Sequence, residues 1–291
     1  MSELKGIVAF FLIVLNTLFW CVFLLSIAVL KLILPIQGWK RICTKFIINI
    51  GECWIYCNIV WIKILHRPEW KIEGFESLDQ SNWYLSVANH QSWADIFILQ
   101  GITNRKIPML KFFMKHVLIW VPVIGLAWWA LDMPFLKRYT KEELEKNPEL
   151  RGKDIKAMEK SFDRFSRYPV SIFSFTEGTR FTEKKKIDQP SNYKNLLNPK
   201  SGGIGLTLTT MPYINMLLDF TIYYAPSENY YNIQNVPDNI NIDPYVAVAS
   251  IIPTDTNIII PPEGATGNAR YKTTLTFLED IRAIETSSGN P

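Results

Sequence analysis

WYLSVANHQSWAD, residues Trp83–Asp95, decides how the rest of the chain is read. Trp83–Ala88 is a short aromatic and aliphatic run closed by Asn89, the composition of a buried strand. His90 follows directly, at the C-terminal end of that strand, where open α/β sheets gather their sites. Asp95 comes five positions later. Along one continuous helix, five steps of about 100° would leave the two side chains about 140° apart. They meet only if His90 precedes the first regular turn, and a strand-to-helix turn provides that geometry. Asp95 can then accept a hydrogen bond from one imidazole nitrogen, fix the tautomer and leave the other nitrogen as a base. The plainer alternative is a structural histidine next to a helix-capping aspartate. A lone His-x4-Asp spacing leaves both readings open.

Working outward, Val170–Phe175 (VSIFSF), Phe220–Tyr224 and Val246–Ile252 also read as short apolar strands. Lys141–Arg167 reads as mostly helical, with Lys, Glu and Asp on the wet face. Strands alternating with helical stretches predict an α/β domain over 67–291, with a mainly parallel mixed sheet flanked by helices. Ser227–Asp243 is polar, rich in Asn and bounded by Pro226; it reads as a loop. Pro108–Leu131 is apolar and carries Trp120, Trp128 and Trp129, but Pro122 and Gly125 interrupt any helix there. Core packing and contact with a bilayer or an acyl chain are both open for it.

The N-terminal part, 1–66, has a different character. Between Lys5 and Lys31 lie 25 residues without a formal charge, GIVAFFLIVLNTLFWCVFLLSIAVL. As a helix they reach about 37 Å, enough for a hydrocarbon core of about 30 Å. The run is too long for the apolar region of a signal peptide, so residues 6–30 are expected to form a retained transmembrane anchor. Lys31, Lys40, Arg41 and Lys45 follow it, whereas Glu3 and Lys5 cancel before it. That asymmetry predicts a single pass with the rest of the chain on the cytoplasmic side. The next apolar stretch, 46–65, contains Glu52, Lys63, Trp54, Tyr56 and Trp61, a mixture suited to a helix lying in the interface.

The formal net charge of +4 is too mild for a dedicated nucleic-acid binder and compatible with an anionic membrane surface. Cys21, Cys43, Cys53 and Cys57 all precede the sheet region, in no C-x-x-C pair, and read as small apolar residues. No nucleophile elbow, P-loop, dinucleotide fingerprint or H-E-x-x-H motif occurs. His66 and His116 form no metal-ligand pair by spacing, so no metal site is expected.

Two further constellations bear on chemistry. Phe175-Thr176-Glu177-Gly178-Thr179-Arg180-Phe181 again closes an apolar strand; its glycine permits close approach of the backbone to a ligand, and its arginine offers a planar fork for phosphate. Lys184, Lys185 and Lys186 follow, at least two of them expected to be solvated. Phe135-Leu136-Lys137-Arg138 is an apolar pair ending in two cations, which reads equally as ordinary surface charge or as a second phosphate contact.

NHQSWAD, FLKR and FTEGTRF, in that order, resemble the glycerophospholipid acyltransferase family, whose best-known members are 1-acylglycerol-3-phosphate acyltransferases. The resemblance covers about 67–225. The family's blocks are N-H-x4-D, a segment ending in arginine, and F-x-E-G-T-R. FTEGTRFTEKKK is also similar to a subgroup that includes lysophospholipid acyltransferases, and LNPKSGGIGL (Leu197–Leu206) to the family's Lys-x-Gly segment. Thr176 stands where many members have proline. The family's Val-Pro block is poorly matched by Ile222-Tyr223-Tyr224-Ala225-Pro226. The resemblance implies transfer of a fatty acyl group from acyl-CoA or acyl-carrier protein to the hydroxyl of a lysophospholipid at a phospholipid membrane, with no cofactor. It implies His90 as base, Asp95 as its orienting partner, Arg138 and Arg180 as phosphate ligands, and Glu177, Gly178 and Thr179 as shaping the acceptor pocket. The acceptor is expected to be 1-acylglycerol-3-phosphate. A larger-headgroup lysolipid such as lysophosphatidylglycerol, and a lipid-binding protein without turnover, are the alternatives. A bacterial inner membrane is the expected location, with the endoplasmic reticulum as the alternative.

Overall fold

The computed structural model describes residues 2–136 apart from 69, 71, 73, 76 and 77; then 146, 162, 164–189, 191, 193, 196–200, 202–222 and 224; and the strand 247–253. Two long helices come first: α1, Ser2–Ile33, and α2, Gln37–His66. The sheet region follows, with β1 (Tyr84–Ala88), α3 (Ala94–Thr103), β2 (Leu110–Phe112), β3 (Met114–Lys115), α4 (Ile124–Ala130), β4 (Phe135–Leu136), β5 (Ser171–Phe175), α5 (Glu183–Asp188), α6 (Gly202–Thr210), β6 (Met216–Ile222) and β7 (Ala247–Pro253). Five strands form one sheet in the order β2-β5-β1-β6-β7. The first four are mutually parallel and β7 joins the edge antiparallel. β3 and β4 pair separately as a short parallel ribbon.

β1 is central, and all five of its residues are buried. A strand covered on both faces favours apolar side chains on both, which is why YLSVA does not alternate regularly with polar residues; Ser86 is its one polar side chain, and it too is buried. Successive residues instead enter two cores. Tyr84 and Ala88 join Leu99, Ile102, Phe173, Leu218 and Phe220 on the face covered by α3. Leu85 and Val87 join Phe165, Ile172, Ile204 and Leu217 on the face covered by α6. Because β5, β1 and β6 run in parallel, their C-terminal ends open on one edge, and the loops after them meet there.

The helices α1 and α2 form an antiparallel hairpin around the turn at 34–36. Polar groups join them: Asn16 Nδ2 donates to Asn58 Oδ1 at 2.8 Å, and Trp54 Nε1 donates to Thr17 Oγ1 at 3.0 Å. The hairpin also packs on the rest of the protein. Cys21, Leu24 and Ala28 of α1 and Ile47, Ile55, Ile59 and Ile62 of α2 share a core with Met109, Ala127, Ala130 and Leu131. Lys31 ends α1 3.4 Å from Asp132, which also pairs with Arg164 at 2.8 Å. The opposite side of α1 exposes Phe11, Leu15, Phe19 and Phe23, and Phe10 is exposed nearer its N-terminus.

Several boundaries differ from the sequence reading. The second helix begins at Gln37, since the chain needs only a three-residue turn to reverse. β6 begins at Met216, four residues before the expected Phe220. Asp219 had broken the apolar run, yet it occupies a half-buried position in the middle of the strand. β2 was not foreseen: three residues are too short for periodicity, and Lys111 disguises a buried position. In the Pro108–Leu131 stretch Ala127, Ala130 and Leu131 are core, as the packing reading expects, whereas Val117, Leu126 and Trp120, the last 79% exposed, face outward. Lys141–Arg167 lies mostly outside the described residues, which include a short 3-10 turn at Arg164–Arg167. The 227–243 loop lies wholly outside them.

Candidate active site

The site grows from the end of β1. Asn89 acts as an extra rung of the sheet: its Nδ2 donates to Ile222 O at 2.9 Å, and Ile222 N donates to its Oδ1 at 2.7 Å. This locks the ends of β1 and β6 together. The chain then turns at 90–93 before α3 begins. Asp95, in the first turn of α3, points back into that turn. Its Oδ2 accepts from Gln91 N at 2.7 Å and Ser92 N at 2.9 Å, and lies 2.9 Å from His90 Nδ1. One carboxylate thus bonds the N–H groups of the turn before α3 and orients the imidazole, while α3 itself has no side-chain cap.

With Nδ1–H donating to Asp95, the lone pair of His90 falls on Nε2. The ring stacks on Phe175, with centroids 3.8 Å apart and planes 12° from parallel. His90 is 9% exposed and Asp95 0%, so little water competes for their hydrogen bond. Tyr224, two residues beyond β6, donates its hydroxyl to Asp95 Oδ1.

The loop after β5 lies across this turn. Glu177, 1% exposed, directs both carboxylate oxygens at main-chain N–H groups, accepting from His90 N at 3.0 Å and from Leu197 N at 2.9 Å. Burial pushes its carboxyl above the usual carboxylate range, and these two donors pull in the opposite direction. Expected to shape the acceptor pocket, Glu177 braces the site from behind, joining the His90 turn to the Leu197 segment. Phe181 N donates to His90 O at 2.7 Å and completes the junction.

Gly178 has φ +67°, a backbone conformation that favours glycine, and a β-carbon there would sit 2.9 Å from Cδ of the flexible Lys200 side chain. Thr179 Oγ1 accepts from Lys185 Nζ at 2.7 Å, and the same amine donates to Arg180 O at 2.9 Å. Lys185 is thus a structural tie rather than a free cation of the basic run. The Arg180 guanidinium lies 4.9 Å over the Trp93 ring, beside the His90 turn. Arg138 lies outside the described residues. His90, Asp95, Glu177, Gly178, Thr179 and Arg180 are brought into one loop cluster; His66 ends α2 and His116 opens the 3-10 turn before α4, both on other elements. Among the described residues, no group of three or more His, Cys, Asp or Glu side chains is placed to hold a metal ion.

Sequence reasoning named Asn89, Phe175 and Lys200 only as members of motifs and gave Tyr224 no role at the site. Asn89 had a usable signal, since an amide at a strand's end is suited to bonding a neighbouring backbone. Tyr224 had none, because only the pairing of β6 with β1 brings it to Asp95.

The acyltransferase family model matches residues 69–222, more than half of the 291-residue chain. No curated protein matches. Among solved structures, the 1-acyl-sn-glycerophosphate acyltransferase PlsC from Thermotoga maritima superposes with a TM-score of 0.56 at 16% identity, covering 100% of this chain and 97% of that one. At that identity the likeness is one of fold. The chain belongs to the acyltransferase family, as its two main motifs lead one to expect, and it is an enzyme of acyl transfer.

Proposed function

We propose that the protein transfers a fatty acyl group from a thioester donor, acyl-CoA or acyl-carrier protein, to the free hydroxyl of 1-acylglycerol-3-phosphate, forming phosphatidic acid. The observation carrying this reading is the His90–Asp95 pair at the strand edge, with an arginine held beside it on Trp93. His90 Nε2 takes the hydroxyl proton as the acceptor oxygen bonds to the thioester carbonyl carbon. The carbon–sulfur bond then breaks, and the departing thiolate is protonated to the free thiol. Asp95 holds the imidazolium in between. Such base assistance is worth about 10²–10⁴ in rate. Arg180, with Arg138 as the second expected cation, holds the acceptor phosphate. The phosphate acceptor named for the Thermotoga maritima protein supports this choice over a larger headgroup.

The test is thiol release and product identification with a panel of lyso-acceptors, run on wild type and on His90→Ala. Preference for lysophosphatidate, lost in His90→Ala, supports the reading. A folded His90→Ala enzyme that keeps a substantial fraction of kcat would overturn the mechanism, and preference for lysophosphatidylglycerol would overturn the acceptor.

The site works at a membrane, to which the N-terminal helices attach it. Both are long and apolar enough to cross one. In the single-pass reading α1 crosses, and Lys31, Lys40, Arg41 and Lys45 keep the catalytic domain cytoplasmic. A specific observation favours a second placement: α2 is packed on the sheet region from Ile47 to Ile62, and α1 from Cys21 to Ala28. Helices held along the domain in this way would lie in one leaflet with it. Labelling a cysteine introduced at Ser2 from each side of sealed vesicles distinguishes them. A single pass puts Ser2 opposite the catalytic domain, and a one-leaflet hairpin puts it on the same side.

A further inference from the structure

We propose that Tyr224 is a positioning residue of the active site, whose hydroxyl holds the outer oxygen of Asp95 and sets how firmly that carboxylate holds the protonated form of His90. The proposal deepens the reading of His90 as the base and rests on it.

Asp95 is fully buried, so each of its oxygens depends on protein donors alone. Oδ2 is served by His90 Nδ1 and by the main-chain N–H groups of Gln91 and Ser92. The donor on Oδ1 is Tyr224 Oη. Tyr224 lies two residues past Ile222, which Asn89 clamps to the end of β1. Burial, and then the adjacent Asp95 charge, push the phenol well above its ordinary pKa, so it remains a donor throughout the working range.

The consequence for His90 has a definite sign. A donor on Oδ1 draws charge away from the carboxylate and weakens its hold on an imidazolium. Without it Asp95 holds the charged ring more strongly, and His90 gives up its proton only at higher pH. The other charged or titratable groups facing the turn are Glu177, which is bonded to His90 N, and Arg180 over Trp93; neither changes when the phenol is removed. A phenol with a packing role alone would alter stability and leave the titration of His90 where it is.

The experiment compares wild type with Tyr224→Phe, as full-length protein in lipid vesicles, measuring thiol release from an acyl thioester at saturating lysophosphatidate across pH. The acidic limb of kcat is expected to move up by about half a pH unit, with kcat on the plateau down about tenfold. In parallel, protein labelled with 15N-histidine reports the His90 ring, whose Nδ1–H resonance is expected to shift in the variant. If Tyr224→Phe does not fold, Tyr224→3-fluorotyrosine makes the phenol a stronger donor and should move the limb down. An unmoved limb, with kcat within about twofold of wild type and an unchanged His90 resonance, refutes the proposal. Failure of the underlying reading looks different: His90→Ala would stay active while the His90 resonance still responded to Tyr224→Phe.

Discussion

The hairpin and the sheet are both built from apolar runs, and they spend them in opposite directions. In the sheet, every residue of YLSVA is buried, and the polar groups at the strand ends are bonded to one another: Asn89 to Ile222, Glu177 to His90 and Leu197. In the hairpin, Phe10, Phe11, Leu15, Phe19 and Phe23 point away from the protein, while the polar pairs Asn16–Asn58 and Thr17–Trp54 face inward. An apolar run alone therefore does not say which side is dry. The seam between the two regions is where they must agree. It is partly ionic, with Lys31 and Arg164 on Asp132 and the amine of buried Lys111 bonded to Leu131 O at 2.6 Å.

If the sheet edge carries the chemistry and the seam the stability, substitutions should separate the two. The largest effect is expected from Asp95→Asn. It should lower kcat by about 10³, within the range that a positioned base contributes, while melting near the wild-type temperature. An amide keeps the shape and still accepts the Gln91 and Ser92 N–H groups. Thiol-release kinetics beside a thermal melt check this. Unaltered kcat would remove Asp95 from the mechanism.

Asp132→Asn should do the reverse. Asp132 is buried with φ +54°, a conformation that asparagine tolerates, so the change removes charge with little strain. Lys31, Lys111 and Arg164 then face one another without a carboxylate, at a cost of about 3 kcal/mol. Denaturant unfolding in detergent should show the loss, and enzyme that remains folded should keep its kcat.

Lys111 gives the seam a pH signature. Burial lowers its pKa from 10.5 to about 8, against the pull of Asp132. Between those values the unfolded chain carries the proton and the folded one does not. Stability should therefore rise with pH across that window, relative to Lys111→Met, by at most about 3 kcal/mol. Melts of both proteins from pH 7 to about 10 test the sign, and parallel curves would place the amine in water. The smallest effect is expected from Asn16→Leu within the hairpin. It removes bonds to Asn58 and to Trp54 O, and should cost about 0.6 kcal/mol, as polar pairs between membrane helices usually do. A loss of several kcal/mol would show that the hairpin depends on its polar pairs as heavily as the sheet does.

The sequence by itself determined the α/β class, the ends of β1 and β5 to within a residue, the two apolar N-terminal segments and the identity of the loop residues around His90. These follow from local rules: apolar runs, breakers, and residue types whose chemistry does not depend on neighbours. Tertiary structure alone decided how those pieces act on one another. It turned Glu177 inward as a brace, laid His90 on Phe175, took Lys185 out of the free basic run and carried Tyr224 to Asp95, 129 residues away in the chain. It also revealed β2, where a buried lysine reads as a surface residue until its amine is seen bonded to Leu131 O. The physical reason is common to all of these. Strand pairing between distant segments fixes which polar groups share a buried space, and within that space most donors find acceptors that no local pattern names.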